Sequence, residues 1–228
     1  MDRDLLIRAA ASVGATVGEE ELRRLEIYAR LLVEWNERMN LTAITDPRGI
    51  AVKHFADSLS VLPLLPDGPL SLIDVGTGAG FPGVPLAVCR GDIRLTLLDS
   101  LNKRLVFLET LCRELGVKAT LIHARAEEGG RDPALRERFD AAVARAVAPL
   151  PALCEMCLPF VRVGGLFLAL KGPDGEQEQR EAAPKAAALG ARFLPGRAFS
   201  LEGAGRFIAR AEKIAPTPQK YPRQNARK

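Results

Sequence analysis

Two carboxylates, Asp74 and Asp99, each close a short apolar run, and three glycines follow the first of them. Leu70, Leu72, Ile73 and Val75 have β character and stop at Gly76-Thr77-Gly78-Ala79-Gly80-Phe81. Pro82 and Pro85 then stand where the first turn of a helix tolerates proline, because those amides lack an intrahelical partner. The pattern predicts strand, glycine turn and helix. Glycine suits such a turn because it accepts positive φ and lets a ligand approach the bare backbone. Arg94 to Leu98 reads as a second strand ending at Asp99, near the spacing at which nucleotide-binding folds place an acid for ribose hydroxyls. The plain alternative, an ordinary tight turn, is open to any lone G-x-G-x-G. The phosphate fingerprint G-x-G-x-x-G is incomplete, since Phe81 stands where its third glycine would be. A nucleoside without pyrophosphate therefore fits better than NAD, and S-adenosylmethionine is such a ligand.

Other polar groups fall where further strands end. Val117 to His123 predicts a third strand, followed by Ala124-Arg125-Ala126-Glu127. Phe139 to Val143 predicts a fourth, running into Ala144-Arg145-Ala146. Gly164-Gly165 predicts a turn into a fifth, Leu166 to Leu170, ending at Lys171-Gly172. Helical patterns separate these strands: one after Ser100 as its cap with Gly116 as its stop, another from Pro149 to Val161. Strands alternating with helices at this period predict a parallel sheet covered on both faces, whose ligands sit beyond the carboxyl ends of its strands. Asp74 to Phe81, Asp99, Ser100, Leu101, Ala126, Glu127, Arg145 and Lys171 all fall at those ends.

The elements before and after position this core. Residues 3–13 predict a short helix. Thr16 and Glu19 suggest a capping box ahead of a long amphipathic helix carrying Tyr28, Leu32, Trp35 and Met39. A further helix from about Gly49 to Leu62 holds His54, Asp57 and Ser58. His54 and Ser58 are four apart and share a face, although histidine and serine on helices more often cap or pack. Pro63, Pro66, Asp67-Gly68 and Pro69 mark a linker, so residues 1–66 are expected to form a helical cap packed on the domain of residues 67–228. After Lys171 come a polar helix from Gly175 to Leu189, with a kink expected at Pro184, and two strand-like segments near Arg192–Ser200 and Arg206–Ile214. The end of the chain is rich in proline and base: Arg210, Lys213, Lys220, Arg223, Arg227 and Lys228 oppose only Glu212. Such a run is usually a solvated end, but beside a cleft it can also hold phosphates.

At 228 residues, 47% hydrophobic and 26% charged, the chain has the composition of a globular domain with a proper core. It shows no run of membrane-spanning length and no signal-peptide pattern at MDRDLLIRAA, so a cytoplasmic protein is expected. Cys89, Cys112, Cys154 and Cys157 fall in predicted helices and are expected to be reduced. Cys154-x-x-Cys157 lacks a second ligand pair, so no metal is expected. A net charge of +4 is compatible with nucleic acid without being diagnostic of it.

With these residues assembled, the chain resembles the bacterial small-subunit ribosomal RNA guanine-N7 methyltransferase family, also called glucose-inhibited division protein B. The resemblance rests on Asn40-Leu41-Thr42, His54-Phe-Ala-Asp57-Ser58-Leu59 and Asp74-Val-Gly-Thr-Gly-Ala-Gly-Phe-Pro-Gly83. It continues through Leu98-Asp99-Ser100 with Lys103-Arg104, Arg125-Ala126-Glu127, Arg145-Ala146, Leu170-Lys171-Gly172 and Thr217-Pro-Gln-Lys-Tyr-Pro-Arg223. It implies a class I, Rossmann-like methyltransferase: a mostly parallel seven-stranded sheet with helices on both faces and a helical N-terminal extension. It further implies methyl transfer from S-adenosylmethionine to guanine N7 in 16S ribosomal RNA, free or in the 30S particle, by a monomer. Cofactor contacts are expected at Asp74, Gly76, Thr77, Gly78, Gly80, Phe81, Asp99, Ser100, Leu101, Ala126, Glu127 and Arg145. Substrate positioning is expected from Arg145, Lys171 and His54. Ala79 departs from the proline common in the family. No acid or base is required, because N7 carries a lone pair and no proton. Two other readings compete: a nucleotide-dependent oxidoreductase, and a non-catalytic RNA-binding or assembly protein with a relic nucleoside site. Neither accounts for all five strand ends.

Overall fold

The computed structural model describes residues 1–145 and 148–224. Ala146 of the Arg145-Ala146 motif, and Arg227 and Lys228 of the basic tail, lie outside the described residues.

Five strands, β1 (Leu70–Val75), β2 (Ile93–Asp99), β3 (Ala119–His123), β4 (Phe139–Arg145) and β5 (Val161–Lys171), run parallel. Two more, β6 (Ala191–Leu201) and β7 (Ala204–Lys213), complete a sheet of order β3-β2-β1-β4-β5-β7-β6, with β7 antiparallel to both its neighbours. Alternation along each strand divides the core into two layers. Leu70, Leu72, Leu95, Leu97, Val143 and Leu168 pack on one face. Ile73, Val75, Leu98, Ala142, Phe167 and Ala169 pack on the other. A strand apolar on both faces has no solvent side to offer, which is why these read as continuous runs in the sequence.

The first layer is covered by α1 (Arg3–Ser12) and α2 (Glu19–Met39), and by α5 (Gly83–Cys89) and α6 (Asn102–Leu115). Between α2 and β1, residues 47–59 form one helical segment: α3 (Pro47–Gly49), a π-helical stretch Ile50–Ala56 and α4 (Asp57–Leu59). The second layer is covered by α8 (Leu150–Cys157) and α9 (Gly175–Ala188), with the single turn α7 (Ala126–Gly129) beside them. Among the described residues no helix is long and apolar enough to cross a membrane.

Three local expectations are corrected. The start of α2 lies two residues beyond the Thr16 box, with Gly18 as N-cap. A Cβ there would stand 2.5 Å from the Glu21 carboxylate, so glycine makes room for the acid that folds back over the helix start. Ser100 does not cap α6, which begins at Asn102 while Asp99 takes the Leu101 N–H at 2.9 Å. Gly164-Gly165 sits inside β5, where the register against β4 shifts, rather than in a turn before it. Gly164 there has φ +83°, which glycine adopts at no steric cost.

The basic C-terminal stretch is also not a solvated end. Lys213 is fully buried; its ammonium donates to Leu158 O, Val161 O and Thr217 Oγ1 and pairs with Glu137 at 3.0 Å. Arg223 grips the buried Glu155 carboxylate, which Lys185 also meets. Burial alone would raise Glu155, but the bonds from Arg223 and Lys185 hold it down at about 2. Lys220 remains exposed, over the Tyr221 ring.

Candidate active site

The glycine turn leaves β1 with φ +72° at Gly76, +60° at Gly78 and +99° at Gly80. Asp74, wholly buried beneath it, organises the turn: one carboxylate oxygen accepts from Thr77 Oγ1 and from Gly83 N, each at 2.8 Å. Its other oxygen, Oδ1, has no partner among the described residues. Burial raises this carboxyl to about 6, against the pull of its two donors. Gly80 is wedged against α2: a Cβ there would meet the Tyr28 hydroxyl at 2.6 Å, Val84 at 2.9 Å and Leu108 at 3.0 Å. Tyr28 in turn donates to Ala79 O at 2.5 Å, so the N-terminal helix holds the turn in shape.

Beside the turn lies a polar cavity of about 210 Å³ lined by Gly76, Leu98, Asp99, Ser100, Arg104, Ala124, Arg125, Ala126, Glu127 and Met156. Asp99 is the hub of its wall. It accepts from Gly78 N (2.9 Å) and Leu101 N (2.9 Å) and pairs with Arg104 at 3.2 Å. Glu127 is 9% exposed and has no hydrogen-bond partner among the described residues, so a carboxylate stands in the cavity wall with its acceptors free. Ala126 opens α7, whose start is tied by the Arg125 N–H to Glu128. Leu101 is 42% exposed next to Ser100. The structure thus brings Gly76, Asp99, Ser100, Ala126 and Glu127 together around one cavity and sets Gly78 against it through Asp99. Thr77 and Asp74 lie beneath the turn.

Phe81, Arg145 and His54 gather elsewhere. The Phe81 ring stacks with both Tyr28 (5.0 Å) and His54 (4.5 Å), and the Arg145 guanidinium lies 4.8 Å from its centre. Arg145 also donates to Lys53 O at 3.0 Å, at the π-helical stretch, and pairs with Asp57 at 3.1 Å. Asp57 takes Arg206 on its other oxygen at 3.2 Å. Pi-helical turns recur at functional sites, and this one lines a second, more open cavity of about 410 Å³ with Ile44, Lys53, His54, Asp57, Arg145, Leu170, Lys171, Gly172, Glu178 and Arg206. Both cavities lie at the carboxyl ends of the parallel strands: Gly76 lines the first, and Phe81, five residues on, packs against His54 and Arg145 of the second.

His54 and Ser58 do not form a dyad. Ser58 Oγ donates to the His54 backbone carbonyl at 2.6 Å. Arg145 has no lone pair, so the His54 Nδ1 it faces at 3.3 Å is an acceptor and Nε2 carries the proton toward Thr42 Oγ1 at 2.9 Å. Burial, and then the Arg145 charge, push His54 down to about 4, leaving a neutral ring.

Sequence reasoning passed over Met156, Glu178 and Arg206, and gave Arg104 and Asp57 no role of their own. Arg104 was within reach, one turn along the helix that Asp99 opens. Met156 and Arg206 reach the cavities from α8 and β7, distant in sequence from every motif, and nothing near them marks them.

The geometry suits an adenosyl ligand: an acid at each of two strand ends, a glycine turn open to a ligand at Gly78, and the orphan Asp74 Oδ1 under it. Comparison with known proteins finds methyltransferases. The family model described as rRNA small subunit methyltransferase G matches residues 21–199. The ribosomal RNA small subunit methyltransferase G of Acetivibrio thermocellus is 45% identical over 229 residues, covering 99% of this chain and 94% of the relative. That of Pelotomaculum thermopropionicum is 46% identical, covering 94% and 92%. Among solved structures, a methyltransferase from Pyrococcus furiosus superposes with a TM-score of 0.58 at 15% identity, covering 85% of this chain and 98% of that one.

Proposed function

The chain belongs to the rRNA small subunit methyltransferase G family, and on that premise we propose that it transfers a methyl group from S-adenosylmethionine to N7 of a guanine in 16S ribosomal RNA. The observation that carries this reading is that two cavities open at the carboxyl ends of the strands, one with Asp99 and the unpartnered Glu127 in its wall, suited to a nucleoside, and the other with Lys53, Arg145, Lys171 and Arg206, suited to RNA. We take the protein to act as a cytoplasmic monomer on the 30S particle or its RNA, with residues 1–66 as a cap over residues 67–228.

Asp99 would accept the ribose hydroxyls and Glu127, with the backbone at Ala126, the adenine amino group. Gly76, Thr77, Gly78 and Gly80 would carry the backbone past the amino-acid part, with Asp74 beneath to answer its ammonium. Phe81 and Arg145 would separate the two ligands. The cofactor, when bound, supplies an electrophilic methyl on a sulfonium that leaves as a neutral thioether. N7 offers a lone pair and no proton, so the chain's task is alignment and exclusion of water rather than proton transfer. Arg145, Lys171 and His54 would hold the base and its phosphates.

The test is methyl transfer from labelled cofactor to 16S RNA and to 30S particles, followed by nucleoside analysis. N7-methylguanine is expected, and RNA carrying 7-deazaguanine at the target should bind without accepting a methyl group. Methylation of the deaza RNA would put the methyl on another atom and end the reading.

A pH series adds a second check. At neutral pH His54 is already neutral and Asp74 already ionised, since they titrate at about 4 and about 6. The single-turnover rate at saturating RNA is therefore expected to stay flat between about pH 7 and pH 9. His54→Asn should weaken RNA binding and leave that profile flat. A rate that climbs through a histidine-like pKa, and loses the climb in His54→Asn, would mean general-base chemistry.

A further inference from the structure

In the second cavity the polar atoms of Arg145, His54 and Asp57 are engaged with one another, and both Asp57 oxygens already hold guanidinium groups. The opposite wall is different. There Lys171, at the end of β5, meets Glu178, in the first turn of α9, at 2.7 Å. The pair is anchored from behind: Glu178 Oε2 also accepts the Leu150 N–H at 2.9 Å, and Lys171 Nζ donates to Ala148 O at 3.2 Å. Among the described residues Glu178 Oε1 has no hydrogen-bond partner, and both side chains line the cavity.

We propose that the Lys171–Glu178 pair reads the Watson–Crick edge of the target guanine, the ammonium donating to O6 and the carboxylate accepting from N1–H and the N2 amine. This deepens the methyltransferase reading and rests on it. Guanine presents an acceptor beside two donors on that edge, which matches a cation beside a carboxylate. Adenine presents an amino group toward the cation and a bare nitrogen toward the carboxylate, so both contacts turn repulsive. Holding the base by N1–H, N2 and O6 also leaves the lone pair of N7, on the adjoining Hoogsteen edge, without a contact of its own, as a nucleophile requires. A cavity of about 410 Å³ admits a base drawn out of its stack, the state in which that edge is exposed. Because both side chains are already tethered, little freedom is lost on binding.

Inosine separates this from other roles, since it keeps N7, O6 and N1–H and lacks only the N2 amine. On RNA carrying inosine at the target, the unaltered protein should lose about tenfold in kcat/KM, the worth of a hydrogen bond to a charged group. Glu178→Ala should lose at least about tenfold on guanine RNA and no longer distinguish inosine, with S-adenosylmethionine affinity unchanged. Glu178→Gln keeps an acceptor for the Leu150 N–H and so guards against a folding defect. Its amide turns an N–H toward the base, and the discrimination should again vanish. An inosine penalty that survives in both variants, or is missing from the unaltered protein, overturns the assignment while leaving N7 methylation standing. Absence of N7-methylguanine from the unaltered protein's product overturns the parent reading and this one with it.

Discussion

Gly78→Val should lower S-adenosylmethionine affinity at least about a hundredfold in a protein that keeps its fold, because a non-glycine residue in the left-handed region costs about 1–3 kcal/mol and its side chain obstructs the ligand. Gly78 has φ +60°, and a Cβ there meets nothing within 4 Å, so the obstruction falls on the ligand's space rather than on the core. Its N–H also donates to Asp99, and a shift of the turn would loosen the acid expected to hold the ribose. Gly80→Ala makes the contrast. There the added carbon would press on the Tyr28 hydroxyl, Val84 and Leu108, so the loss should appear as a lower melting temperature. Titration calorimetry alongside thermal melting separates the two. Affinity within a few-fold of the parent for folded Gly78→Val would take the turn out of the site.

Deleting residues 217–228 should destabilise the whole protein by about 3–5 kcal/mol, the usual cost of stripping partners from buried charges. For a chain of this size that is a fall of roughly 10 °C in Tm. The fully buried Lys213 would lose Thr217 Oγ1, and Glu155 would lose Arg223. Arg136, which donates to the carbonyls of Thr217 and Tyr221, would keep only Gly130 O among its present partners. With such packing, the removal of this stretch acts on the fold as well as on any phosphates its cations hold. Lys220→Gln tests RNA binding without that damage, by whether the salt dependence of affinity becomes shallower. A truncated protein as stable as its parent would mean that these buried pairs contribute nothing.

Local chemistry was legible wherever a residue's neighbours in sequence are also its neighbours in space. The turn after β1 is such a place: Gly76, Gly78 and Gly80 take positive φ because the chain must reverse between a buried strand and a helix within a few residues. Asp99 and Glu127 were likewise legible, since Asp99 closes a segment that reads as a strand and Glu127 follows soon after another. Caps were less so. Thr16 and Ser100 have the right side chains for capping, yet Gly18 and Leu101 hold those positions, because the tertiary packing of α2 and α6 sets where each helix begins.

By itself, the sequence determined an α/β sheet covered on both faces, a glycine turn fit for a nucleoside and the strand ends at which ligands collect. These follow from periodicity and from the backbone freedom of glycine, which act over a few residues. Tertiary structure alone decided that β7 runs antiparallel between β5 and β6, and that Lys213 and Arg223 are buried or paired internally. It also decided that Tyr28 of the N-terminal helix holds the Ala79 carbonyl, that Arg145 is bound to Asp57 and the π-helical stretch, and that Glu178 stands beside Lys171. Whether a charged side chain faces solvent or a buried partner depends on which distant segment the fold lays against it, and no pattern along the chain records that distance.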